Sequence, residues 1–211
     1  MTDPQIQIDK IAAETLRVPI RGTAPLIMHN WSEKAKRQLL ESQQGKKKLK
    51  EIRDPKADYE AAFYRIAHEG EVDGYGFPVT AFKAATVGAG RFYGKSVKMT
   101  ELRQFIFMKG VLTKADPQQL VEIFGEPEMR EDVVRLSGMG RPPDLRYRPE
   151  FREWSAVLTI TYVTSSLARS SVLSLIDAGG LGIGIGEWRP EKRGEFGTYE
   201  INQDLETEVV P

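Results

Sequence analysis

The most informative chemistry in the sequence lies in a glycine-rich segment near its C-terminal end. Residues 179–197 contain seven glycines. Glycine lets a backbone come close to a ligand and leaves N–H groups free to meet phosphates. Side chains that add positive charge or stack on a base lie among these glycines: Trp188, Arg189, Lys192 and Arg193. We therefore predict a site for single-stranded nucleic acid; the alternative is a flexible hairpin between a helix and an edge strand.

Basic residues elsewhere extend this prediction. A stretch rich in arginine and proline holds residues suited to backbone clamping and base stacking: Arg141, Arg146, Tyr147 and Arg148. Its alternative is a surface loop whose arginines pair with nearby acids: Asp132, Asp144, Glu150 and Glu153. A second basic loop, which is alternatively only a solvated loop, carries four lysines: Lys46, Lys47, Lys48 and Lys50. Lys83 and Arg91 fall on one face of a predicted helix.

Two aromatic residues of a predicted strand are further candidates. Phe105 and Phe107 alternate with polar or smaller residues, and such residues stack on bases when the sheet face is open, as in RNA-recognition modules. The alternative, which we favour on the sequence alone, is that both fill the core.

Two patterns imitate catalytic motifs without the elements that those motifs need. Residues 89–96, AGRFYGKS, satisfy a loose P-loop expression, and Asp177 ends a segment that imitates a Walker B strand. A P-loop requires a strand before it and a helix after it, whereas a helical pattern precedes residue 89.

His29 has no evident catalytic partner, and two histidines without cysteine make a poor metal site. We expect no enzyme activity, no metal and no cofactor.

Composition limits the remaining classes. The chain has 211 residues, of which 40% are hydrophobic, and it has no cysteine, as expected for one globular domain spanning residues 1–211. The first ten residues are polar, with no signal-peptide core, and no apolar run approaches the length of a membrane helix. We expect a cytoplasmic protein with no membrane partner.

Net charge is zero, but the charges are segregated along the chain. Residues 33–53 include eight basic and three acidic residues, whereas residues 195–211 include five acidic residues and no basic one. Opposite patches on one molecule favour head-to-tail contacts between copies. We therefore expect a homo-oligomer, and the acidic tail at residues 203–211 either bridges subunits or folds back over the basic groove of its own chain.

Periodicity predicts an α+β fold. Strands are predicted at residues 14–21, 104–112, 154–163 and 197–202. The principal helices are predicted from Pro78 to Phe92 and from Ser166, as N-cap, to Gly179 and Gly180, which end it. The order strand, helix, strand, strand, helix, strand is that of a ferredoxin-like (RRM-like) antiparallel sheet with helices on one face. Two large insertions interrupt it, residues 31–75 with a helix over 55–68 and residues 113–153 with a short helix near 118–124.

Three segments resemble the RAMP superfamily (repeat-associated mysterious proteins), whose best-known members form the backbone of CRISPR effector complexes. GIGEWRPEKRGEFG is similar to the C-terminal glycine-rich loop of these proteins, VPIRGTAPLI to their first strand and FPVTAFKAAT to the start of a helix. The insertion at 31–75 lies where the family carries its thumb. The resemblance implies single-stranded nucleic acid as ligand and side-by-side oligomerisation.

The sequence therefore favours a non-catalytic protein that oligomerises along single-stranded RNA or DNA, as a CRISPR-backbone-like subunit. The alternative is an interaction protein that docks onto or imitates a CRISPR or phage assembly without binding nucleic acid. The neutral net charge favours this alternative.

Overall fold

The computed structural model of the protein describes residues 8–30, 40–41, 43–44, 53–68, 71–113, 118–135, 140 and 143–210. Four α-helices lie wholly within this part of the chain: α1 (Pro55–Ala61), α2 (Val79–Gly88), α3 (Met99–Phe105) and α4 (Arg169–Gly182). Two 3₁₀ helices, Ala89–Ser96 and Pro190–Lys192, follow α2 and α4 along the chain. Among the helices of this described part, none is long and apolar enough to cross a membrane.

Most of the strands form one antiparallel sheet. Its central path is β11 (Tyr199–Ile201), β1 (Ala13–Gly22), β10 (Ser155–Val163), β7 (Gln119–Phe124), β4 (Glu71–Pro78) and β3 (Tyr64–His68). Three shorter strands join it off this path: β12 (Glu208–Val210) on β1, β5 (Ile106–Lys109) on β10 and β6 (Val111–Leu112) on β7. The predicted α+β class is confirmed.

A second, smaller sheet lies beside the main one. It consists of β2 (Leu26–Ile27), β9 (Pro143–Phe151) and β8 (Pro127–Arg135), in that order. Strands β8 and β9 form a long antiparallel hairpin that runs from the Pro127–Phe151 pair to the Arg135–Pro143 pair. The Arg/Pro-rich stretch is therefore largely a hairpin rather than a loop.

Strand β10 follows the alternation of its sequence. Ala156, Leu158, Ile160 and Tyr162 are buried, and the residues between them are partly exposed. Strand β1 pairs with it from Ala13–Val163 to Arg21–Ser155, which aligns Leu16 with Ile160 and Val18 with Leu158 on the buried face. The main core lies on this side, which we call the inner face of the sheet, and includes residues of α2 and α4.

Helix α4 packs closely against α2 and against β11 because two of its glycines allow it. A Cβ at Gly179 would lie 2.7 Å from the carbonyl oxygen of Ala85 in α2, and one at Gly180 would lie 2.0 Å from that of Tyr199. The prediction that these glycines end the helix was wrong: α4 continues to Gly182, and the glycines are there for contact. Ser166 does not cap it either, since the residue before the helix is Ala168.

Three other predicted elements differ in type. The helix predicted near 118–124 is strand β7, and its Leu120, Val121 and Ile123 are buried. The helix predicted over 55–68 is α1 followed by β3, and the strand predicted from 104 begins only at Ile106, after α3. Because β3, β4 and β7 all pair within the main sheet, both insertions contribute strands to the core structure.

Candidate nucleic-acid interface

The glycine-rich segment is folded onto the chain around residues 25–27 by backbone hydrogen bonds. The N–H of Gly197 donates to Pro25 O at 2.8 Å, and the N–H of Glu187 donates to Ile27 O at 3.1 Å. Within the segment, the N–H of Ile185 donates to Gly197 O at 2.9 Å. The alternative of a flexible hairpin does not describe this arrangement, because both ends of the loop are anchored. We call residues 183–197 the glycine loop.

Trp188 occupies a strained position at the turn of this loop. Its φ of 51° is left-handed, which is unusual for a residue other than glycine. Gly194 is required beside it, since a Cβ there would lie 1.7 Å from Trp188 O. The indole ring is 38% exposed and contacts Phe196, at 6.0 Å between centroids. Part of this large aromatic side chain is therefore accessible to solvent.

Positive charge lies directly against that indole. The guanidinium carbons of Arg130 and Arg148 lie 5.5 and 5.6 Å from the Trp188 ring, within cation–π range. Arg130 also lies 5.0 Å from the Phe196 ring. The sequence carried no signal for Arg130, because this contact depends on how hairpin β8–β9 meets the glycine loop.

A cleft of about 300 Å³ separates the glycine loop from the beginning of α2. Its walls include Thr80, Ala81 and Ala84 of α2 on one side, and Gly184 to Glu187 of the loop on the other. His29 and Arg189 also line it. Small side chains on the helix and glycine backbone on the loop leave room for an extended chain, such as a sugar–phosphate backbone.

Of the predicted loop cations, Arg189 is held in place by the protein itself. Its Nη1 donates to Gly186 O at 3.1 Å, and its Nη2 lies 2.8 Å from Oε2 of Glu191. Arg91 approaches the same glutamate, with its Nη2 3.8 Å from Oε1. Lys192 and Arg193 are exposed, and within the described residues neither forms an ion pair. The loop therefore presents Lys192 and Arg193 outward and uses Arg189 to hold its own shape.

The arginines of hairpin β8–β9 are paired with carboxylates. Arg148 is only 2% exposed; its Nη2 lies 2.7 Å from Asp132 and its Nη1 lies 3.3 Å from Glu187. Arg146 lies 2.9 Å from Asp144. Both arginines pair with nearby acids, as the alternative interpretation expected. That they clamp a nucleic acid stays a prediction. Tyr147 lies beside Glu131, and a hydrogen bond to that carboxylate raises the pKa of its hydroxyl.

Glu187 connects this network to the glycine loop. Nδ1 of His29 lies 3.5 Å from Glu187 Oε1, and Nε2 of the same ring lies 3.3 Å from Nη1 of Arg146. The hydrogen bond from His29, assisted by the charges of Arg148 and Arg189, lowers the pKa of Glu187 against the opposing effect of burial. His29 therefore serves as a bridge between two charged groups at the cleft wall.

Lys83 lies away from the cleft. Its Nζ donates to Arg103 O at 3.2 Å and lies 5.1 Å from the ring centroid of Phe107 on β5. Phe107 is 46% exposed, so the favoured core placement was wrong for this residue, whereas Phe105 is partly buried at the end of α3. The predicted basic residues Lys46, Lys47, Lys48, Lys50 and Arg141 lie outside the described residues.

No protein-family model matches the chain, and no curated protein matches it. Among solved structures, a chain of the "Type III-B Cmr-beta bound to cognate target RNA", determined by cryo-EM, matches with a TM-score of 0.43 and 10% identity. The match covers 94% of this chain and 61% of that one. Cmr6 from Pyrococcus furiosus matches with a TM-score of 0.42 and 8% identity, over 92% of this chain and 100% of that one.

The chain spans about three fifths of the Cmr-beta chain that it matches.

The P-loop-like residues adopt a different structure from a phosphate-binding loop. Residues Ala89–Ser96 form 3₁₀ turns with a kink at Gly94, whose φ is 75°, and they directly follow α2, so a helix and not a strand precedes them. Asp177 lies inside α4, and its Oδ1 accepts a hydrogen bond from the N–H of Ile201 at 2.7 Å. This carboxylate joins α4 to β11 and has a structural partner.

Proposed function

We propose that this protein is a non-catalytic, RAMP-like subunit that binds single-stranded nucleic acid within a multi-subunit nucleoprotein complex. The observation that carries the proposal is the glycine loop. It is anchored at both ends, it borders a cleft about 300 Å³ in volume, and it turns Trp188, Lys192 and Arg193 toward solvent. Phosphates would meet the two cations and the loop backbone, while a base packs against the exposed part of the indole.

The finer fold assignment belongs to the same proposal. The predicted core strands pair in the order β11, β1, β10, β5, and every neighbouring pair is antiparallel. With α2 after β1 and α4 after β10, this order supports a ferredoxin-like core, to which β3, β4, β6 and β7 are added at one side.

The proposed absence of catalysis is supported by the partners of the candidate groups. His29 is engaged by Glu187 on one ring nitrogen and by Arg146 on the other. Asp177 is bonded to the backbone of β11. Binding would depend on charge and stacking, with little sequence preference and with RNA and DNA both as candidates.

Fluorescence anisotropy with a labelled single-stranded oligonucleotide tests the proposal. Replacing Lys192 and Arg193 together by Ala should weaken binding and lower the dependence of log Kd on log salt by about 0.7 for each phosphate that the variant no longer neutralises. Lys98→Ala is the control, because Lys98 is an exposed lysine outside the glycine loop. Its Nζ lies 2.9 Å from Oε1 of Glu101. Equal affinities of the double variant and the wild type at low salt would reject the loop as the site.

A second candidate function is docking onto a nucleoprotein assembly without contact to nucleic acid. The pairing of Arg130, Arg146 and Arg148 with carboxylates favours it, since it removes three guanidinium groups from those available to phosphates. Under this function the chain would bind no oligonucleotide at low salt but would still associate with a protein subunit of such an assembly. The anisotropy experiment therefore separates the two functions.

A further inference from the structure

The outer face of the main sheet, opposite the α2–α4 side, carries a second set of residues suited to nucleic acid. On β10 the outward residues include Ser155, Thr159 and Thr161, and none of the outward side chains of β1, β5 and β10 is a carboxylate. The surface extends over four paired strands, β12, β1, β10 and β5, and two rows of aligned residues cross it.

The first row is cationic at both ends. Arg17 of β1 is aligned with Thr159 of β10, and Thr159 is aligned with Lys109 of β5. Neighbouring strands lie about 4.8 Å apart, so the backbones at Arg17 and Lys109 lie roughly 10 Å from each other across the sheet. Lys109 is exposed and forms no ion pair within the described residues.

The second row ends in an exposed aromatic ring. Thr15 is aligned with Thr161, and their hydroxyls lie 2.8 Å apart. Thr161 is aligned with Phe107, which is 46% exposed. The ammonium of Lys83, which belongs to α2 on the inner side, lies 5.1 Å from the ring centroid, so the ring lies at the β5 edge of the sheet, within reach of both sides. An exposed ring on a strand, with a cation beside it and hydroxyls next to it, is the arrangement on which sheet-based modules stack single-stranded bases.

The acidic tail of the same chain occupies the edge of this face. Strand β12 pairs with β1 and places Glu208 opposite Arg17, with 3.5 Å between Oε2 and Nη1. Arg21, four residues further along β1, pairs with Asp204 at 3.1 Å and with Glu200 at 2.8 Å. The two arginines of β1 are thus already paired with carboxylates that recur every four residues along the chain, at 200, 204 and 208.

These tail contacts are of a kind that a polyanion displaces. The side chains of Arg17 and Glu208 are both more than half exposed, and exposed ion pairs of this type contribute little and weaken with salt. A nucleic acid gains in addition from the release of its condensed counterions, which a short peptide tail does not offer.

We propose that the outer face around Phe107, Lys109 and Arg17 is a second binding surface for single-stranded nucleic acid, and that the tail carboxylates compete for it. The proposal rests on the proposed function for the class of ligand, but it concerns a face that points away from the glycine loop's side of the sheet. Bases stack on Phe107, and the backbone crosses the row from Lys109 to Arg17. The tail lowers the affinity of this surface until a longer strand displaces it.

The test measures binding of a labelled oligouridylate by anisotropy, with the full-length protein. Phe107→Ala and Phe107→Leu should each weaken binding by about fivefold or more, as stacking on one aromatic ring accounts for. Phe107→Tyr should restore wild-type affinity. A merely structural role would instead be rescued by Leu, because Leu keeps the apolar volume, and that outcome would overturn the proposal.

A second arm tests the tail with matched variants. Glu208→Gln removes the carboxylate that pairs with Arg17, and Glu206→Gln removes an exposed tail carboxylate that has no ion pair within the described residues. Only Glu208→Gln should tighten binding, with the slope of log Kd against log salt growing by about 0.7 for one additional phosphate neutralised. Equal effects of the two variants would overturn the competition.

Failure of this inference is distinguishable from failure of the proposed function. If Lys192→Ala with Arg193→Ala weakens binding while Phe107→Ala and Lys109→Ala do not, the glycine loop binds and the outer face does not. If neither the wild type nor Glu208→Gln binds oligouridylate or oligothymidylate at low salt, the proposed function itself fails, and the outer face with it.

Discussion

Arg148 and Asp132 form an almost completely buried ion pair. Nη2 of Arg148 lies 2.7 Å from Oδ2 of Asp132, and the two side chains are 3% and 6% exposed. Asp132 is shared with Arg130, whose Nε lies 2.9 Å from Oδ1, and Arg148 reaches Glu187 in the glycine loop. The pair therefore joins hairpin β8–β9 to the loop that carries the proposed site.

Replacing Arg148 by Met should destabilise the protein strongly. The substitution leaves the buried carboxylate of Asp132 with one guanidinium partner instead of two, and breaking a buried pair in this way costs about 3–5 kcal/mol. Urea unfolding of the variant measures this loss. The exposed pair between Arg152 and Glu128, 3.1 Å apart, is the control: Arg152→Ala should cost at most about 1 kcal/mol. Similar losses in the two variants would contradict the importance of the buried pair.

Stability should depend on pH through Glu187. Because the pKa of this carboxyl is lowered in the folded state, chiefly by the hydrogen bond from His29, its contribution is present above the unfolded value. That contribution is lost as the pH falls through the lowered folded pKa. The free energy of unfolding of the wild type minus that of Glu187→Gln should be largest at neutral pH. This difference should decrease as the pH falls below 4.5, the ordinary pKa of a glutamate carboxyl. A difference that grows on acidification would contradict this sign.

Gly180 should not tolerate alanine, although it lies inside a helix. Intrinsic propensity favours Ala over Gly by about 1 kcal/mol in a helix interior. Here, however, a Cβ would lie 2.0 Å from the carbonyl oxygen of Tyr199, which belongs to a paired strand. Gly180→Ala should therefore lower the midpoint of thermal unfolding.

Gly182 is the matched control for this substitution. The three atoms nearest to a Cβ there belong to the ring of Phe92, the first at 2.5 Å, and this neighbour, a side chain rather than backbone, is 53% exposed. Gly182→Ala should be neutral or slightly stabilising. Equal destabilisation by both substitutions would mean that backbone conformation, and not contact with Tyr199, fixes these glycines.

The sequence predicted elements well where a single face is buried. Strand β10 alternates buried and partly exposed residues along its whole length, and period-two alternation records that pattern directly. Strand β7 was mistaken for a helix because its consecutive Leu120 and Val121 are both buried, on opposite faces, so its pattern has no clear period. Whether such a short segment forms a strand or a helix depends on the neighbouring strands with which it can pair.

The sequence identified the glycine loop as a candidate site, but it could not predict which charged side chains are paired. Glycines with Trp188, Lys192 and Arg193 identify a loop, and that loop does border a cleft. The burial of Arg148 could not be predicted, since it depends on the register of β8 and β9 and on their contact with the loop. The misassignment of Gly179 and Gly180 has the same origin, because their close contacts are with residues far away in sequence.

Leu158 tests the placement of the core. It lies at the centre of β10, is 1% exposed and faces the α2–α4 side of the sheet. Leu158→Ala should cost about 2–5 kcal/mol, the usual range for a buried leucine. Leu181, which is 75% exposed on α4, is the control, and its substitution by Ala should have little effect. A small loss at Leu158 would place the core elsewhere.

Truncation of the acidic tail tests whether the tail mediates self-association of the protein. Segregated charge favours head-to-tail contacts, and removal of residues 204–211 would weaken them if the tail bridges subunits. In the structure Asp204 and Glu208 instead pair with Arg21 and Arg17 of their own chain. We therefore expect truncation to leave the sedimentation coefficient at a given concentration unchanged and to tighten oligonucleotide binding. A truncated protein that sediments more slowly than the full chain would show that the tail bridges subunits, because the loss of eight residues changes the mass of one copy very little.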